Sequence, residues 1–268
     1  MPTPPTSRWA NRGCALQNTQ AELTIIIPAK NEGRDLPRLL TSLSRQDYPH
    51  LPVTKVYVAD AQSSDGTPGI ALSFAHRLQV EVVAGGLPAV GRNAGARLAQ
   101  TPYLLFMDAD IGLPDATLLR RAMETMRRRQ LHCLTTYIAC PGGGMADRLL
   151  FALNNAVQRA SRWVAPFATG MFMLFDKQEF DRLGGFNERA LYAEDYLLSK
   201  QVARRRFAVL RGEITTTNRR FRKMGHARIA RMFLCTALNT RNANYFLRDQ
   251  GYWDAPRPTT SCAPPSQI

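Results

Sequence analysis

Two aspartates, Asp108 and Asp110, lie one residue apart at the end of the apolar run LLFM at positions 104–107. Carboxylates are strongly hydrated, and they are rarely buried without a partner. An apolar strand that carries two acids to its end therefore predicts a positive partner there: a divalent metal ion, an arginine or the N-terminus of the next helix. Asp115 is better placed than Asp110 to cap that helix, which favours the metal ion.

A second acidic pair, Glu194 and Asp195, opens the segment AEDYLLSKQVARRR, whose apolar spacing predicts a helix through residue 206. A positioned carboxylate can accept a proton as a general base. Acids are also common in the first turn of a helix, where they interact favourably with its dipole. That structural role is the alternative for either acid alone.

Three more charged residues occupy positions where a ligand could be met. Asp60 ends the apolar run VYVA, so a strand delivers it to its end. Glu32 lies in the loop after the first apolar run, where an ordinary first-turn acid is an equally good explanation. Arg92 lies in GRNAG, whose glycines allow a close approach of the backbone to a ligand. A surface arginine at a helix start is the alternative for Arg92.

The segment TTTNRRFRKMGHARIAR is strongly basic and contains Arg219, Arg220 and Arg222. Arginine binds phosphate in bidentate fashion, so about two of its arginines are expected to meet a phosphorylated ligand. The whole chain carries a net charge of +14, which favours an anionic partner such as nucleic acid, a lipid surface or a phosphorylated substrate. For scattered arginines such as those at 127–129, a solvated surface is the alternative.

The elements that position these residues alternate between strand and helix. Apolar runs at 23–28, 53–60, 78–84 and 103–110 predict strands, and the segments between them have helical spacing. This alternation predicts an α/β fold with a mostly parallel central sheet and helices on both faces. Ligands of such sheets bind outside the carboxyl ends of the strands, where Pro28, Asp60 and Asp108 lie.

Residues 21–253 are predicted to form one domain. The segments 1–20 and 254–268 are rich in Pro, Thr, Ser and Gln, and we expect disordered tails there. The N-terminus lacks the apolar core of a signal peptide, and the apolar run 163–175 is too short to span a bilayer. The sequence thus predicts a cytoplasmic location and leaves open a peripheral one at the inner face of the cell membrane.

From about residue 22 to 225, the chain resembles family 2 glycosyltransferases with the GT-A fold. The resemblance is carried by six segments in the order and spacing of that family: TIIIPAKNEGRDLPRLLTSL, VADAQSSDGT, GRNAGA, LLFMDADI, GMFMLFDKQEFDRLGGFNE and AEDYLLSKQV. The chain departs from many members at Ala61, where they have a second acid. It also lacks the glutamine-arginine-tryptophan motif of processive members.

The resemblance implies transfer of a sugar from a nucleoside-diphosphate sugar to an acceptor hydroxyl. Asp110 would hold a divalent cation, Mn²⁺ or Mg²⁺, that bridges diphosphate oxygens. Asp108 would support the metal shell or face the ribose. Asp195 would be the catalytic base of an inverting displacement, with Glu194 orienting the acceptor or the start of the helix.

The resemblance also implies the donor contacts. Pro28, Ala29 and Glu32 would wrap the nucleoside, and Asp60 would accept a hydrogen bond from the base or ribose. Arg92 would reach the donor or its diphosphate. The diphosphate would be bound by a loop in the basic segment, through residues among Arg219, Arg220 and Arg222, and His226 could complete the metal shell. The resemblance thus implies a nucleotide-binding first half and an acceptor-binding second half.

The acceptor region of the family corresponds here to the segment CPGGGMADRLLFALNNAVQRASRWVAPFATG. Its predicted helix has an apolar face beside Arg148, Arg159 and Arg162, so it could rest on an anionic membrane and take a lipid acceptor. A helix that packs into the core is an equally good interpretation. The segment RMFLCTALNTRNANYFLR is a second candidate of the same kind. No nucleic acid partner is predicted.

Two other functions account for part of these features. A nucleotidyltransferase would need a glycine-rich, lysine-bearing loop after the first strand, and PAKNEGRD offers Lys30 but only Gly33. A non-enzymatic basic module that binds membranes or nucleic acid would explain the charge. It would not explain why Asp60, Asp108, Asp110 and Asp195 occupy positions at the active edge of a sheet.

Overall fold

The computed structural model describes residues 20–240, 242–249 and 251. The predicted tails, 1–20 and 254–268, therefore lie outside the described residues, apart from Gln20. Across the part of the chain that is described, no helix combines the length and apolarity needed to cross a bilayer.

Seven strands form one sheet: β1 Leu23–Ala29, β2 Lys55–Asp60, β3 Gln79–Ala84, β4 Tyr103–Met107, β5 Cys133–Ala139, β6 Phe172–Asp176 and β7 Phe207–Thr215. Their order across the sheet is β3-β2-β1-β4-β6-β5-β7. All neighbours pair in parallel except β6, which is antiparallel to both β4 and β5. The predicted α/β fold with a mostly parallel sheet is confirmed.

Ten α-helices lie among the described residues: α1 Leu36–Ser44, α2 Thr67–Ser73, α3 Pro88–Leu98, α4 Leu118–Arg129, α5 Met145–Ser161, α6 Lys177–Arg182, α7 Glu194–Ser199, α8 Arg219–Met224, α9 His226–Leu238 and α10 Ala243–Phe246. Short 3-10 helices occupy Leu51–Val53 and Arg204–Arg206.

Strand β1 shows how the helices cover both faces of the sheet. Ile25 and Ile27 point into the core beneath α1, α2, α4 and α5, whereas Ile26 points into the core beneath α3, α6 and α7. Helix α3 lies so close to β1 that a Cβ atom on Gly95 would come within 2.6 Å of Ile26 Cγ2. This close packing fixes the height of α3, and with it the position of Arg92, above the sheet.

Four elements differ from the sequence prediction. Strand β4 ends at Met107, so Asp108 and Asp110 lie in the turn that follows it and not on the strand itself. Helix α7 is one and a half turns long and stops at Ser199, well before the predicted end at 206. The basic segment, expected to be a loop, forms α8 and α9. Strand β7 was not predicted.

A short backbone bridge joins the turn after β4 to the end of β7. Gly112 N donates to Thr215 O over 2.8 Å, and Thr215 N donates to Gly112 O over 2.9 Å. Helix α8 begins four residues later, at Arg219. The bridge therefore brings the start of the basic helix to the acidic turn that contains Asp110.

Candidate active site

The loops after β1 and β2 are joined by hydrogen bonds into one wall at the carboxyl edge of the sheet. Asn31 N donates to Ser63 Oγ over 2.8 Å, and Ser64 N donates to the Asn31 side chain over 2.8 Å. Gly33 N donates to Asp65 Oδ2, also over 2.8 Å. These reciprocal bonds hold the wall in place without a ligand.

Asp60 lies at the base of this wall, where β2 ends beside Ala29 of β1. Its Oδ2 accepts a hydrogen bond from Ser63 N over 3.0 Å. Its Oδ1 is buried, and within the described residues it has no hydrogen-bond partner. A buried carboxylate oxygen without a partner is costly, so this atom is available to accept from a ligand. Pro28 and Ala29 are buried beside it.

Arg92 lies at the centre of what we call the buried cluster, formed by Arg92, Asp108 and Glu194. Its Nη2 lies 2.6 Å from Asp108 Oδ1, and its Nη1 lies 2.6 Å from Glu194 Oε1. The Arg92 side chain is 2% exposed and that of Glu194 6%. The guanidinium also lies 5.3 Å from the centre of the Phe186 ring. The cluster therefore joins the turn after β4 to the start of α7.

The Arg92 guanidinium stays charged in this cluster. Burial lowers the pKa of the Arg92 guanidinium, but Asp108, Glu194 and Asp195 outweigh burial and raise the pKa above its usual value. We expected Arg92 at the donor or on the surface. The structure instead buries it beneath the site, where it positions the two carboxylates that it contacts.

Gly170, in the segment before β6, lies against both Arg92 and Asp195, and the sequence analysis did not identify it. A Cβ atom on Gly170 would lie 2.2 Å from Arg92 Nη2, so no other residue fits without moving the arginine. Its backbone N also donates to Asp195 Oδ2 over 2.7 Å. Nothing in the local sequence marks this glycine, because its partners come from distant segments.

Asp195 accepts two backbone hydrogen bonds, from Gly170 N and from its neighbour Tyr196 N, each over 2.7 Å. Burial and the adjacent Glu194 charge together raise the pKa of Asp195 to about 7, against the opposing influence of Arg92 and the two backbone donors. The side chain is still partly exposed. A carboxylate with a pKa near neutrality can take up and release a proton at physiological pH.

A second group of charges, which we call the open cluster, consists of Arg219 with Glu32, Asp35 and Asp110. Arg219 makes a bidentate pair with Glu32, over 2.6 and 3.0 Å, and lies 3.5 Å from both Asp35 Oδ2 and Asp110 Oδ2. Half of the Arg219 side chain is exposed. The predicted diphosphate-binding helix thus meets the predicted metal ligand.

Two acids of the open cluster, Asp110 and Glu32, have raised pKa values. Burial, and secondarily the Asp108 charge, raise the pKa of Asp110, while Arg219 and Arg220 act in the opposite direction. Burial likewise raises the pKa of Glu32, against the hydrogen bond from Arg219. A further cation in this cluster would therefore be stabilised.

The open cluster has members that the sequence analysis missed. Asp35 stands one helical turn after Glu32, and Arg38 stands one turn after Asp35, a spacing that could have revealed them. The Arg38 guanidinium donates to the backbone carbonyl of Asp110. Arg222 is exposed on α8.

His226 is held by α5. Its Nε2 lies 2.7 Å from Asp147 Oδ1, and its ring stacks on Phe221 with centroids 5.4 Å apart. Asp147 also accepts from Gly144 N and from the Asn218 side chain, each over 2.9 Å. His226 therefore has a carboxylate partner that joins α5 to α9, and its place in a metal shell stays a prediction.

Comparison with known proteins identifies the family. The profile described as glycosyl transferase family 2 matches residues 24–184, more than half of the chain, and this range includes the wall, Arg92 and both acids of the turn after β4. The chain belongs to glycosyl transferase family 2.

Two curated relatives of this glycosyltransferase match over short stretches. It is 32% identical over 117 residues to a 4,4'-diaponeurosporenoate glycosyltransferase of Staphylococcus haemolyticus, covering 42% of this chain and 30% of the relative. It is 37% identical over 93 residues to a validoxylamine A glucosyltransferase of Streptomyces hygroscopicus, covering 33% of this chain and 22% of the relative. The chain thus spans less than a third of the length of these relatives.

Solved structures establish the GT-A fold. Residues 1–349 of S. aureus TarS, in complex with UDP-GlcNAc, superimpose with a TM-score of 0.58 at 20% identity, covering 74% of this chain and 59% of that TarS fragment. The mannosyltransferase PcManGT from Pyrobaculum calidifontis, in complex with GDP-Man and Mn²⁺, gives a TM-score of 0.61 at 21% identity, covering 84% of this chain and 72% of PcManGT.

The side chains of this glycosyltransferase fit a divalent cation that arrives together with a phosphorylated ligand. Within the described residues, no three Asp, Glu, His or Cys side chains converge closely enough to hold a metal by themselves. Mg²⁺ and similar cations are commonly held by one or two carboxylates together with substrate phosphates and water. Asp110 and Asp108 supply such carboxylates, and the open cluster already accommodates one positive group, the Arg219 guanidinium.

Proposed function

We propose that this chain transfers a sugar from a nucleoside-diphosphate sugar to an acceptor hydroxyl, with inversion at the anomeric carbon. The observation that carries the proposal is Asp195, whose pKa of about 7 combines with partial exposure and fixed backbone donors. Family membership supports the reaction class. TarS with UDP-GlcNAc and PcManGT with GDP-Man and Mn²⁺ supply the analogy for donor and cation.

The nucleoside is proposed to lie against the wall formed by the loops after β1 and β2. The unpartnered Oδ1 of Asp60 accepts a hydrogen bond from the base or ribose. Pro28 and Ala29 form the floor at the end of β1, and Glu32 closes the edge towards α8.

The diphosphate is proposed to lie between the acidic turn and helix α8. Arg219, Arg220 and Arg222 bind its oxygens, as guanidinium groups do. Asp110 holds the divalent cation, with Asp108 nearby. When bound, that cation neutralises the negative charge that grows on the leaving diphosphate.

Asp195 is proposed to remove the proton from the acceptor hydroxyl as its oxygen attacks the anomeric carbon. The bond from that carbon to the diphosphate breaks on the opposite face, so one displacement inverts the configuration. Glu194 has a positioning role in this step. Held by Arg92 over 2.6 Å, it fixes the start of α7 and keeps the pKa of Asp195 high by its charge.

Replacing Asp195 by Asn tests the assignment of the base. We expect transfer to fall by about 10²–10⁴-fold, the usual contribution of a positioned base, while calorimetry shows unchanged nucleotide binding. In the wild type, the transfer rate should rise with pH through about 7, because the base acts when deprotonated. Glu194→Gln should reduce transfer less than Asp195→Asn does. It should also shift the rise of the transfer rate to lower pH, because the Glu194 charge raises the pKa of Asp195. A product that retains the configuration of the donor, or near-normal transfer by Asp195→Asn, would refute the mechanism.

Replacing Asp110 by Asn tests the metal ligand. The variant should lose metal-dependent activity and keep its fold, because Asp110 lies in a turn whose backbone is bridged through Gly112. Asp115→Asn, in the same connection, is the matched control and should keep its activity. Full activity of Asp110→Asn with added Mn²⁺ or Mg²⁺ would remove Asp110 from the metal site.

The acceptor is proposed to be a lipid or a lipid-linked glycan. The support is the position of the segment from α5 to Gly170, which ends at the hydrogen bond to Asp195 and has exposed apolar side chains along its length. Transfer assays with detergent-solubilised lipid acceptors and with water-soluble glycans distinguish the two classes.

A further inference from the structure

Helix α5 leaves an apolar stripe exposed and buries polar side chains. Its buried side chains include Asp147 and Gln158, whereas Met145 is 85% exposed, Leu149 68% and Leu153 58%. An amphipathic helix on a soluble protein normally buries its apolar stripe and exposes its polar one. The buried polar groups are hydrogen-bonded, with Asp147 bound to three partners, so the orientation is fixed by specific contacts.

The exposed stripe runs the length of the helix. Met145, Leu149, Leu153 and Val157 recur every four residues, which places them in a row about 18 Å long. Past the end of the helix, Trp163 is 68% exposed and Val164 81%. A continuous exposed apolar surface of this kind marks an interaction site.

The charges around the stripe have one sign. Arg148, Arg159 and Arg162 are exposed, and the Arg162 guanidinium lies 4.5 Å from the centre of the Trp163 ring. From residue 140 to 175 the single acid is Asp147, and it is buried. The surface is therefore both apolar and cationic.

Helix α9 also has exposed apolar side chains, in a stretch of the chain without acids. It packs against α5, and its Phe233 is 44% exposed, Leu234 60% and Leu238 76%. The chain contains no acid between residues 216 and 248.

We propose that the stripe of α5, continued by Trp163 and Val164, docks in the plane of an anionic lipid bilayer. An apolar face flanked by arginines enters the boundary between headgroups and acyl chains, with the guanidinium groups at the phosphates. Tryptophan is enriched at that level of the membrane. A second copy of the chain is the poorer partner, because self-association through this face would oppose arginine to arginine.

A short segment links the proposed surface to the proposed base. Val164 precedes Gly170 by six residues, and Gly170 N donates to Asp195. If the proposed function holds, docking brings the hydroxyl of a membrane-borne acceptor to the base. Docking itself needs neither nucleotide nor cation, so it can be tested separately from the reaction.

Co-sedimentation with vesicles tests the proposal. The 268-residue chain should sediment with phosphatidylcholine vesicles that contain phosphatidylglycerol, and much less with phosphatidylcholine alone. Leu149→Gln/Leu153→Gln should weaken the partition by at least about tenfold. The matched control Leu72→Gln/Leu98→Gln, on α2 and α3, removes leucines that are 51% and 49% exposed and should bind as the wild type does.

A charge pair completes the test. Arg159→Gln/Arg162→Gln should lose the preference for phosphatidylglycerol, and the control Arg128→Gln/Arg129→Gln on α4 should keep it. Thermal unfolding checks that each variant is folded, and calorimetry with a nucleoside diphosphate checks the donor site. The proposal is overturned if the wild type ignores both vesicles, or if the leucine variant binds as tightly as the wild type. It is also overturned if sedimentation velocity shows a wild-type dimer that the leucine variant dissociates.

Discussion

The molecule contains two arginine–carboxylate clusters at the same edge of its sheet, and they differ in burial. In the buried cluster, Arg92 is 2% exposed and joins Asp108 to Glu194. In the open cluster, Arg219 is half exposed and joins Glu32 to Asp110. Breaking a buried pair leaves a charge without compensation, whereas an exposed pair exchanges with water or a ligand at small cost. The buried cluster therefore fixes the shape of the site, whereas the arginine of the open cluster can exchange its partners.

The difference assigns separate tasks to the two arginines. If Arg92 moved away, Asp108 and Glu194 would lose their positive partner, so Arg92 fixes the distance between the acidic turn and α7. Under the proposed function, Arg219 leaves Glu32 and Asp110 when a cation and a diphosphate arrive, and it then binds the diphosphate.

The largest expected effect is on stability, where substitutions of Arg92 and of Arg219 should differ. Arg92→Met should lower the free energy of unfolding by about 3–5 kcal/mol, because the buried Glu194 and the partly buried Asp108 lose a fully buried partner. Arg219→Met should change it by about 1 kcal/mol or less, because half of the Arg219 side chain is exposed to water, although its acidic partners are partly buried. Urea unfolding at neutral pH measures both. Equal losses would remove the distinction between the clusters.

The next effect concerns Gly170, which lies against the buried cluster. Gly170→Ala should cost about 1–3 kcal/mol, as overpacking does, since the new Cβ would displace the Arg92 guanidinium. Transfer should fall as well, because Gly170 N also holds Asp195. Gly142→Ala, in a loop with no atom within 4 Å of the new Cβ, is the control and should change little. A neutral Gly170→Ala would mean that the cluster adjusts freely.

The smallest effect concerns exchange at the open cluster. Arg219→Ala should weaken binding of a nucleoside diphosphate by roughly tenfold, the value of a charge-assisted hydrogen bond. The same change should strengthen binding of Mn²⁺ in the absence of nucleotide, because Asp110 loses a competing cation. Calorimetry measures both affinities, with Arg128→Ala as the control. A variant that binds both ligands more weakly would contradict the exchange.

The local features of the site could be predicted from the sequence, and the pairings could not. Apolar runs that end in acids revealed Asp60, Asp108 and Asp110, because a strand period and a carboxylate can be recognised locally. The partners of Arg92 lie 16 and 102 residues away, and those of Arg219 lie up to 187 residues away. Only the crossing of the chain over the sheet brings them together.

The fold shows the same limit. Strand β7 escaped prediction because Arg211, Gly212 and Glu213 interrupt its apolar run, at the point where its pairing with β5 skips two residues. For α5, the spacing revealed an apolar face and left its direction open. The direction is decided by Asp147 and Gln158, which find partners only on the inner side.

The backbone bridge between Gly112 and Thr215 makes Arg219 a tethered ligand of the acidic turn. A group attached through a short linker acts at an effective concentration in roughly the millimolar range, which dilution does not change. Under the proposed function, donor and cation compete with this internal ligand, and their apparent affinity falls with the fraction of molecules in which the turn is free. Inserting residues between Thr215 and Arg219 would lower the effective concentration, so the length of this link would set how much donor the proposed site needs for half-saturation.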